Sequence, residues 1–293
     1  MPVATNFRQE LTGAFGDPID ENPTQAMIEP AYRSLGLSWR YLTVLVRRDG
    51  LADAVRGARA MHWRGFNCTI PHKVAVIEYL DETTPAAAAI GAVNCVTIRD
   101  GKLIGENTDG KGFLEALSAI QSPVGLRFAI IGAGGAARAI GVELALAGAS
   151  QITIVNRSVE RASELVLNLE QQTPVSPRFV KWDARYTVPA EVDVLVNATS
   201  IGLYPDVDTS LPIDFAKASR DLIVCDVIPN PPRTRLIREA EAAGFRTLDG
   251  LGMLIHQGAI AIELWTGLEP DRSVMRSALE AIFSATATTT ETR

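Results

Sequence analysis

The chain has 293 residues, a length that suits two domains and can bury a sizeable core. Its hydrophobic content of 47% and charged content of 21% are ordinary for a globular protein. The net charge of −6 argues against a general nucleic-acid or membrane-surface binder, and no apolar run approaches the ~20 residues that span a bilayer. The polar first 13 residues lack a signal-peptide core, so we expect a cytoplasmic protein with no nucleic-acid or membrane partner.

Cysteine and histidine usage supports the same expectation. Cys68, Cys95 and Cys225 lie in scattered apolar segments, and neither their odd number nor their spacing suggests a disulfide framework. We therefore expect reduced core thiols in a cytosolic protein. The three histidines show no metal-ligand spacing, so we expect no metal site.

The first part of the chain alternates β-rich runs with stretches of helical period. The predicted strands cover residues 12–16, 39–47 and 65–70, and the predicted helices cover residues 24–35, 51–63 and 74–80. Residues 92–98 and 102–105 flank Asp100-Gly101, a strong hairpin signal. These elements predict an α/β unit with a mixed sheet, which a helix over residues 112–120 links to the rest of the chain.

A glycine-rich turn follows that linking helix. An apolar strand over residues 127–131 leads into it, and a helical run over 139–148 and a strand over 151–157 follow. Gly132, Gly134 and Ala137 have G-x-G-x-x-A spacing within this strand–helix–strand frame. The exposed N–H groups of such a helix start bind phosphate. The pattern therefore favours a dinucleotide site over a plain tight turn, and the residues that would form it are Gly132, Ala133, Gly134, Gly135 and Ala136.

The residues after the second strand of this frame indicate which cofactor binds. A protein that binds NAD usually has an acidic residue there for the ribose 2′-hydroxyl. This chain has Asn156, Arg157 and Ser158, then Arg161, with no carboxylate before Glu160. Guanidinium groups and a hydroxyl suit a 2′-phosphate, so we expect NADP, with NAD possible. The alternative is a helix start capped by Ser158 with its arginines facing water.

The second half continues as an alternation of strands and helices. The predicted strands cover residues 179–182, 192–197, 222–227 and 245–249, and the predicted helices cover residues 234–243, 250–266 and 271–283. Two of these strands are continuous apolar runs, which is typical of a buried parallel sheet. The last residues, 284–293, are small and polar and are predicted to be a disordered tail.

Seven short motifs spread along the chain follow a known pattern. They are Asn67-Cys68-Thr69-Ile70-Pro71-His72-Lys73, Gly91-Ala92-Val93-Asn94, Gly105-Glu106-Asn107-Thr108-Asp109-Gly110-Lys111-Gly112, the turn from Gly132 to Arg138, Asn156-Arg157-Ser158, Asn197-Ala198-Thr199-Ser200-Ile201-Gly202 and Gly250-Leu251-Gly252-Met253-Leu254-Ile255-His256-Gln257. In these motifs, and in their order, the chain resembles the shikimate/quinate dehydrogenase family. The resemblance implies an α/β fold with an N-terminal mixed-sheet substrate domain (1–112, completed by helices in 250–283). A Rossmann-type doubly wound parallel-sheet domain (113–249) follows, with a cleft between the two.

The resemblance also implies an NADP-dependent oxidoreductase that interconverts 3-dehydroshikimate and shikimate, or a related cyclic hydroxy acid such as quinate. Hydride transfer requires that the reacting oxygen gain or lose a proton, which needs a proton-transfer residue and a neighbour to orient it. Lys73 and Asp109 match the catalytic lysine and aspartate of the family. The sequence does not say which of them carries the proton. Taken alone, Lys73 would be a solvated helix-start residue and Asp109 a turn or N-cap residue.

Other residues carry over from the resemblance to the substrate and the nicotinamide. Thr69, Asn94 and Gln257 match positions that bind substrate hydroxyls, which amide and hydroxyl groups suit because each can donate and accept. Otherwise they would be polar residues that bond to backbone. The residues expected along the nicotinamide side of the cofactor are Thr199, Ser200, Val227 and Gly250.

Two departures from the family pattern bear on the substrate. The family usually has Ser-x-Ser, which holds the substrate carboxylate, where this chain has Asn22, Pro23 and Thr24. It usually has a tyrosine where this chain has Pro229. Loss of such a donor costs about 1–3 kcal/mol, or roughly tenfold or more in affinity. Three acidic residues also crowd the first loop, Asp17, Asp20 and Glu21.

These departures predict a member specialised away from shikimate synthesis, with weak shikimate or quinate activity. In the opposite interpretation, Asn22 and Thr24 replace the two serines well. Two alternatives stay open: a dehydrogenase of a different polyol or amino-substituted cyclic substrate, and a non-catalytic regulatory protein that binds the cofactor. The retention of Lys73 and Asp109 argues against the regulatory protein. The expected partner is a small-molecule substrate, and the expected assembly is a monomer or homodimer.

Overall fold

Two sheets with flanking helices form the fold of residues 7–290, which are the residues that the computed structural model describes; of 285–290 only the helical backbone is described. The helices are α1 (Thr24–Ser34), α2 (Leu51–Ala60), α3 (Pro85–Ile90), α4 (Thr108–Ser118), α5 (Gly135–Leu146), α6 (Val159–Gln172), α7 (Arg235–Ala242), α8 (Gly250–Thr266) and α9 (Arg272–Thr290). Short 3₁₀ turns cover Arg48–Gly50 and Ala75–Tyr79.

The first sheet is mixed. Its strands are β1 (Glu10–Gly16), β2 (Trp39–Leu45), β3 (Gly65–Cys68), β4 (Glu82–Thr83), β5 (Cys95–Arg99) and β6 (Lys102–Glu106), in the order β2-β1-β3-β5-β6-β4. β1 is parallel to β2 and β3, whereas β5 is antiparallel to β3 and β6. Asp100 and Gly101 both have positive φ, 50° and 78°, as the tight turn of a two-residue hairpin requires. The predicted hairpin and mixed sheet are confirmed.

The second sheet is parallel throughout. The strands of the second half are β7 (Arg127–Ile131), β8 (Gln151–Asn156), β9 (Ser176–Lys181), β10 (Tyr186–Thr187), β11 (Val194–Asn197), β12 (Ile213–Asp214), β13 (Ile223–Asp226) and β14 (Arg246–Leu248). The large sheet has the order β14-β13-β11-β7-β8-β9, while β10 and β12 pair separately. Ile130 packs towards α5 and α6, and its neighbour Ile131 packs towards α7. Both faces are covered, as in a doubly wound sheet, and the predicted fold class is confirmed.

Two helices connect the sheets. α4 runs from the end of β6 towards β7, and α8 returns from β14 to pack its Ile255 and Ile262 in the core of the first sheet. The two helices meet almost at backbone contact, because a Cβ added at Gly112 would lie 2.6 Å from the backbone N of Gln257 and 2.8 Å from the carbonyl O of Met253. This close contact therefore fixes the position of α8 relative to α4.

Several predicted boundaries differ from the structure for local reasons. α4 begins at Thr108 rather than at residue 112, because Asn107 Oδ1 accepts a hydrogen bond from the Asp109 N–H at 3.1 Å and caps the helix. The predicted helix over residues 74–80 is only a 3₁₀ turn, because the carbonyl of Lys73 accepts from the Val93 N–H at 2.7 Å instead of from a helical partner.

The carboxyl-terminal helix also differs from the prediction. α9 continues to Thr290, so it runs into the segment predicted to be a disordered tail. No glycine or proline between Arg272 and Thr290 interrupts the helical period. The remainder of that predicted tail, residues 291–293, lies outside the described residues.

The three cysteines are free and buried, as predicted. Burial raises the pKa of Cys68 to about 12 and also raises the pKa values of Cys95 and Cys225 above their ordinary values. Cys68 and Cys95 belong to the first sheet and Cys225 to the second. None of the helices within residues 7–290 combines the length and the apolar character that crossing a membrane requires.

Candidate active site

Lys73 and Asp109 form an ion pair, although 36 positions separate them in the chain. Lys73 lies in the turn after β3, and Asp109 lies in the first turn of α4. Lys73 Nζ donates to Asp109 Oδ2 at 2.7 Å, with 27% and 12% of the two side chains exposed. The pair is therefore shielded but still open to a small molecule. Gly110 packs against Ala139 of α5, so the pair lies beside the helix that follows the glycine-rich turn.

Asn94 fixes the orientation of the Asp109 carboxylate. Its Nδ2 donates to Asp109 Oδ1 at 2.9 Å and to Thr108 Oγ1 at 3.0 Å, while its Oδ1 accepts from the Thr108 N–H at 2.7 Å. Only 3% of Asn94 is exposed. Asn67 supports Asn94 from β3 by donating its Nδ2 to the Asn94 carbonyl at 3.0 Å. The Asn94 side chain thus already hydrogen-bonds to Asp109 in the absence of substrate.

The other predicted substrate residues differ in their freedom to bind. Gln257 lies next to Thr108, whose hydroxyl donates to Gln257 Oε1 at 3.4 Å, but its Nε2 is taken by the carbonyl of Leu254 at 3.0 Å. The Thr69 methyl packs against Gly16, and its hydroxyl makes no hydrogen bond within residues 7–290. Thr69 is thus a free hydroxyl beside the turn that carries Lys73.

Asn22 and Thr24 lie together at the start of α1. Asn22 Oδ1 accepts from the Thr24 N–H at 2.9 Å, which leaves the Nδ2 group of Asn22 without a partner among the described residues. Thr24 is 5% exposed. No hydrogen bond joins this loop to the Lys73–Asp109 network in the described part of the chain. The loop therefore presents the Asn22 amide and the hydroxyl of the largely buried Thr24 where the family pattern has two serine hydroxyls.

The glycine-rich turn fits a pyrophosphate. Gly132 has φ +112°, which favours glycine, and a Cβ at Gly134 or Gly135 would meet no atom within 4 Å. α5 begins at Gly135 with no side-chain cap. Its first N–H groups are therefore open, together with the positive end of the helix dipole, to an anion in that space. The turn predicted from residues 132–136 is present with the geometry that such binding needs.

Asn156, Arg157, Ser158 and Arg161 lie at the carboxyl end of β8 and the start of α6, as predicted. Asn156 Nδ2 donates to the Ser158 carbonyl at 2.9 Å. Ser158 Oγ caps α6 by accepting from the Arg161 N–H at 3.3 Å, so the capping role considered for this residue is real. Arg157 and Arg161 are exposed, with no ion pair within residues 7–290. Both guanidinium groups are available to a phosphate.

A buried network that the sequence did not reveal lies among the residues predicted to line the nicotinamide. Asn197 Nδ2 donates to Asp226 Oδ1 at 3.1 Å, Thr234 Oγ1 donates to Asp226 Oδ2 at 2.7 Å, and Asn197 Oδ1 accepts from the Thr199 hydroxyl at 2.7 Å. Thr199 in turn lies next to Gly132. The network therefore ties the ends of β11 and β13 to the glycine-rich turn.

The remaining nicotinamide-side residues surround this network. Ser200 is exposed, and the Val227 N–H donates to the Asn197 carbonyl at 3.1 Å. A Cβ at Gly250 would lie 2.1 Å from the Ile228 carbonyl O, so only glycine allows α8 to begin there. The polar residues that end two adjacent apolar strands, Asn197 and Asp226, are the signal that could have predicted the network.

Asp226 gives this network a pH dependence. Burial raises its pKa from 3.8 to about 6, against hydrogen bonds from Thr234, Ile228 and Asn197 that lower it. Its stabilising contribution is therefore present below pH 3.8 and is lost as the pH rises through about 6. We expect Asp226→Asn to remove up to about 3 kcal/mol of this pH dependence of the free energy of unfolding. Urea unfolding between pH 4 and 7 measures it, and parallel curves for both proteins would contradict it.

Comparisons with known proteins identify the family of this chain. The family model "Shikimate dehydrogenase substrate binding domain" matches residues 14–96, "Shikimate / quinate 5-dehydrogenase" matches residues 115–223 and "Shikimate 5'-dehydrogenase C-terminal domain" matches residues 250–280. A shikimate dehydrogenase (NADP(+)) from Methanopyrus kandleri is 43% identical over 283 residues, which is 95% of this chain and 98% of the relative. The chain belongs to the shikimate dehydrogenase family. The predicted family and enzyme class, an oxidoreductase, are confirmed.

Two solved structures resemble the fold closely. A shikimate dehydrogenase in complex with NADP+ has a TM-score of 0.90 at 38% identity, covering 95% of this chain and 97% of the other. The ligand-free 5-ketofructose reductase of Gluconobacter sp. strain CHM43 has a TM-score of 0.91 at 51% identity, covering 95% of this chain and 100% of the other. Proteins described as a shikimate dehydrogenase and as a 5-ketofructose reductase therefore share this fold.

Proposed function

We propose that this chain is an NADP-dependent oxidoreductase that interconverts a ketone and a secondary alcohol on a polyhydroxylated substrate. The observation that carries the proposal is the Lys73–Asp109 pair, joined at 2.7 Å and packed beside the phosphate-binding turn. A purely regulatory binding protein would have no need for a shielded proton-transfer pair. NADP, when bound, supplies or accepts the hydride.

The chain itself manages the proton and the orientation of the substrate. In the reduction direction, Lys73 Nζ donates a proton to the developing alkoxide oxygen, and Asp109 Oδ2 orients the ammonium group. Asn94 holds the other carboxylate oxygen, so Asp109 cannot rotate away. In the oxidation direction the pair accepts the proton of the substrate hydroxyl. Thr69 and Gln257 supply further hydroxyl and amide contacts to the substrate.

Shikimate and its ketone, 3-dehydroshikimate, form one candidate substrate pair, with quinate as a close relative. The support is the naming of curated relatives such as the M. kandleri protein, and the retention of Lys73, Asp109, Asn94 and Gln257. This pair carries a carboxylate, so the site needs donors that hold it.

A neutral polyhydroxy ketone of the 5-ketofructose class is the second candidate, and we propose it as the preferred substrate. The relative described as a 5-ketofructose reductase shares 51% of its residues with this chain. At the position expected to face a carboxylate, the loop offers only Asn22 Nδ2 and the hydroxyl of the buried Thr24. Asp20 and Glu21 are exposed nearby, and Pro229 cannot donate. A neutral substrate avoids repulsion from these acids.

We expect the purified protein to oxidise NADPH with 5-ketofructose at a kcat/KM roughly tenfold or more above that for 3-dehydroshikimate. Absorbance of NADPH measures both, with shikimate and quinate tested for NADP reduction and NADH tested in place of NADPH. A higher kcat/KM for 3-dehydroshikimate would assign the chain to shikimate synthesis. No turnover of any of these compounds, with NADP binding intact, would contradict both candidates.

A matched variant restores the family loop. Asn22→Ser combined with Thr24→Ser should raise kcat/KM for the carboxylate substrates and leave the KM for NADP unchanged, because the loop makes no hydrogen bond to the cofactor turn among the described residues. An unchanged preference would mean that this loop does not select the substrate.

We also propose a cytoplasmic location, which the reduced buried cysteines support, and a monomer or homodimer as the assembly. The division into a substrate domain (1–112 with 250–283) and a cofactor domain (113–249) is proposed on the positions of the two sheets and of α8.

A further inference from the structure

Arg157 lies over the ring of a tryptophan that no motif singled out. Its guanidinium carbon is 5.9 Å from the centroid of Trp182, within the range of a cation–π contact. Trp182 directly follows β9, and its backbone N–H donates to the carbonyl of Asn156 at 3.0 Å. The backbone immediately before Arg157 is therefore tied to the backbone of the residue whose ring supports Arg157.

The indole is held rigidly by packing. Trp182 is 6% exposed and belongs to the core cluster that includes Val155, Tyr186 and Val188. Its Nε1 is buried without a hydrogen-bond partner among the described residues, so packing alone fixes the ring. Arg157, in contrast, is exposed and has no ion pair in the described part of the chain. The ring is the feature of the described structure that restricts where this guanidinium lies.

We propose that Trp182 is a specificity-determining residue for the cofactor: it holds the Arg157 guanidinium where the 2′-phosphate of NADP binds. This inference rests on the proposed use of NADP. A guanidinium that lies over a ring by its face keeps its N–H donors free at its edge, and those donors match phosphate oxygens. A free arginine loses side-chain entropy when it binds, whereas one already held over a ring loses less.

The experiment compares ligands that differ in the 2′-phosphate. Calorimetry measures the Kd of 2′,5′-ADP and of 5′-ADP for the wild type, Trp182→Met and Arg157→Ala, and steady-state assays give KM for NADP and NAD. Methionine fills space without a π face. We expect Trp182→Met to raise the Kd of 2′,5′-ADP by about two- to fivefold. The Kd of 5′-ADP, the KM for NAD and kcat should be unchanged.

A second cation–π pair in the same chain is the matched control. Arg64 lies 5.8 Å from the ring centroid of Trp39, in the first sheet and away from the cofactor turn. Trp39→Met removes the same kind of contact and should leave both Kd values unchanged. An equal loss of 2′,5′-ADP and 5′-ADP binding in Trp182→Met would mean that the tryptophan is merely structural and would overturn the proposal.

A milder variant covers the case in which Trp182→Met does not fold. Trp182→Phe keeps an aromatic face, and it removes the unpaired indole N–H. Because phenylalanine can still lie against the Arg157 guanidinium, Trp182→Phe should keep the Kd of 2′,5′-ADP within about twofold of the wild type, and a loss as large as that of Arg157→Ala would overturn the proposal. Arg157→Ala by itself tests the role of the arginine independently of the tryptophan. If it leaves 2′,5′-ADP binding unchanged, Arg157 does not hold the 2′-phosphate and the proposal fails, whereas an effect of Arg157→Ala without one of Trp182→Met refutes only the role of Trp182. A KM for NAD below the KM for NADP in the wild type would refute the use of NADP itself.

Discussion

Replacing Lys73 with methionine is expected to lower kcat by about 100-fold or more while the Kd for NADP stays within about twofold of the wild type. Lys73 Nζ is the group 2.7 Å from Asp109 Oδ2, and methionine keeps most of the side-chain volume but cannot transfer a proton. Hydride transfer without a proton would then leave an unprotonated alkoxide. Steady-state turnover, with whichever of the proposed substrates gives the highest kcat/KM, measures kcat, and calorimetry with NADP measures the Kd.

A second ion pair on α4 supplies the control for this substitution. Lys111 Nζ lies 3.0 Å from Glu106 Oε2, and 35% and 10% of these side chains are exposed, close to the 27% and 12% of Lys73 and Asp109. Lys111→Met removes the same charge from a similar environment only two residues from Asp109. We expect it to retain most of the turnover. Near-normal turnover in Lys73→Met, or an equal loss in both variants, would contradict a catalytic role for Lys73.

Replacing Gly112 with alanine is expected to lower the free energy of unfolding by about 1–3 kcal/mol. The added Cβ would lie 2.6 Å from the backbone N of Gln257 and 2.8 Å from the carbonyl O of Met253, and backbone atoms inside a helix cannot yield without moving α8. Such a shift would also move Gln257 away from Thr108, so kcat/KM should fall as well. Thermal and urea unfolding measure the stability.

At Gly57 the same substitution of glycine by alanine is expected to have the opposite effect on the free energy of unfolding. It lies inside α2, where an added Cβ would meet only the Cε of Met61 at 3.7 Å. Gly57→Ala should therefore raise the free energy of unfolding by about 0.5–1 kcal/mol, the usual helix preference of alanine over glycine. Stabilisation by Gly112→Ala would show that the two helices separate more easily than their packing indicates.

Much of the fold could be predicted because local signals agreed with it. The spacing of Gly132, Gly134 and Ala137 within alternating strands and helices predicted the parallel sheet, and Asp100-Gly101 predicted the hairpin. α3 was missed even though Thr84 followed by Pro85 is a helix-start signal, with Thr84 Oγ1 accepting from the Ala87 N–H. The helix predicted from residue 74 failed because a long-range bond takes the Lys73 carbonyl, which no local pattern reveals.

The site was less accessible to local patterns than the fold. Only the family resemblance, and no spacing rule, could bring Lys73 and Asp109 together, because their contact depends on how β3 and α4 meet. The contacts of Asn94 with Asp109 and of Trp182 with Arg157 likewise join residues that are far apart in sequence. The roles of the site residues stay predictions until the variants above are measured.

Labelling of the three buried cysteines can measure local opening of this protein. A thiolate is the form that attacks alkylating reagents. Because burial raises the pKa of all three thiols and shields them, their modification requires an opening of the structure that exposes them. Cys68 and Cys95 sit in the first sheet and Cys225 in the second. The labelling rate of each thiol therefore reports how often the sheet that carries it opens. Equal rates in the two sheets would mean that they open together, and different rates would mean that they open separately.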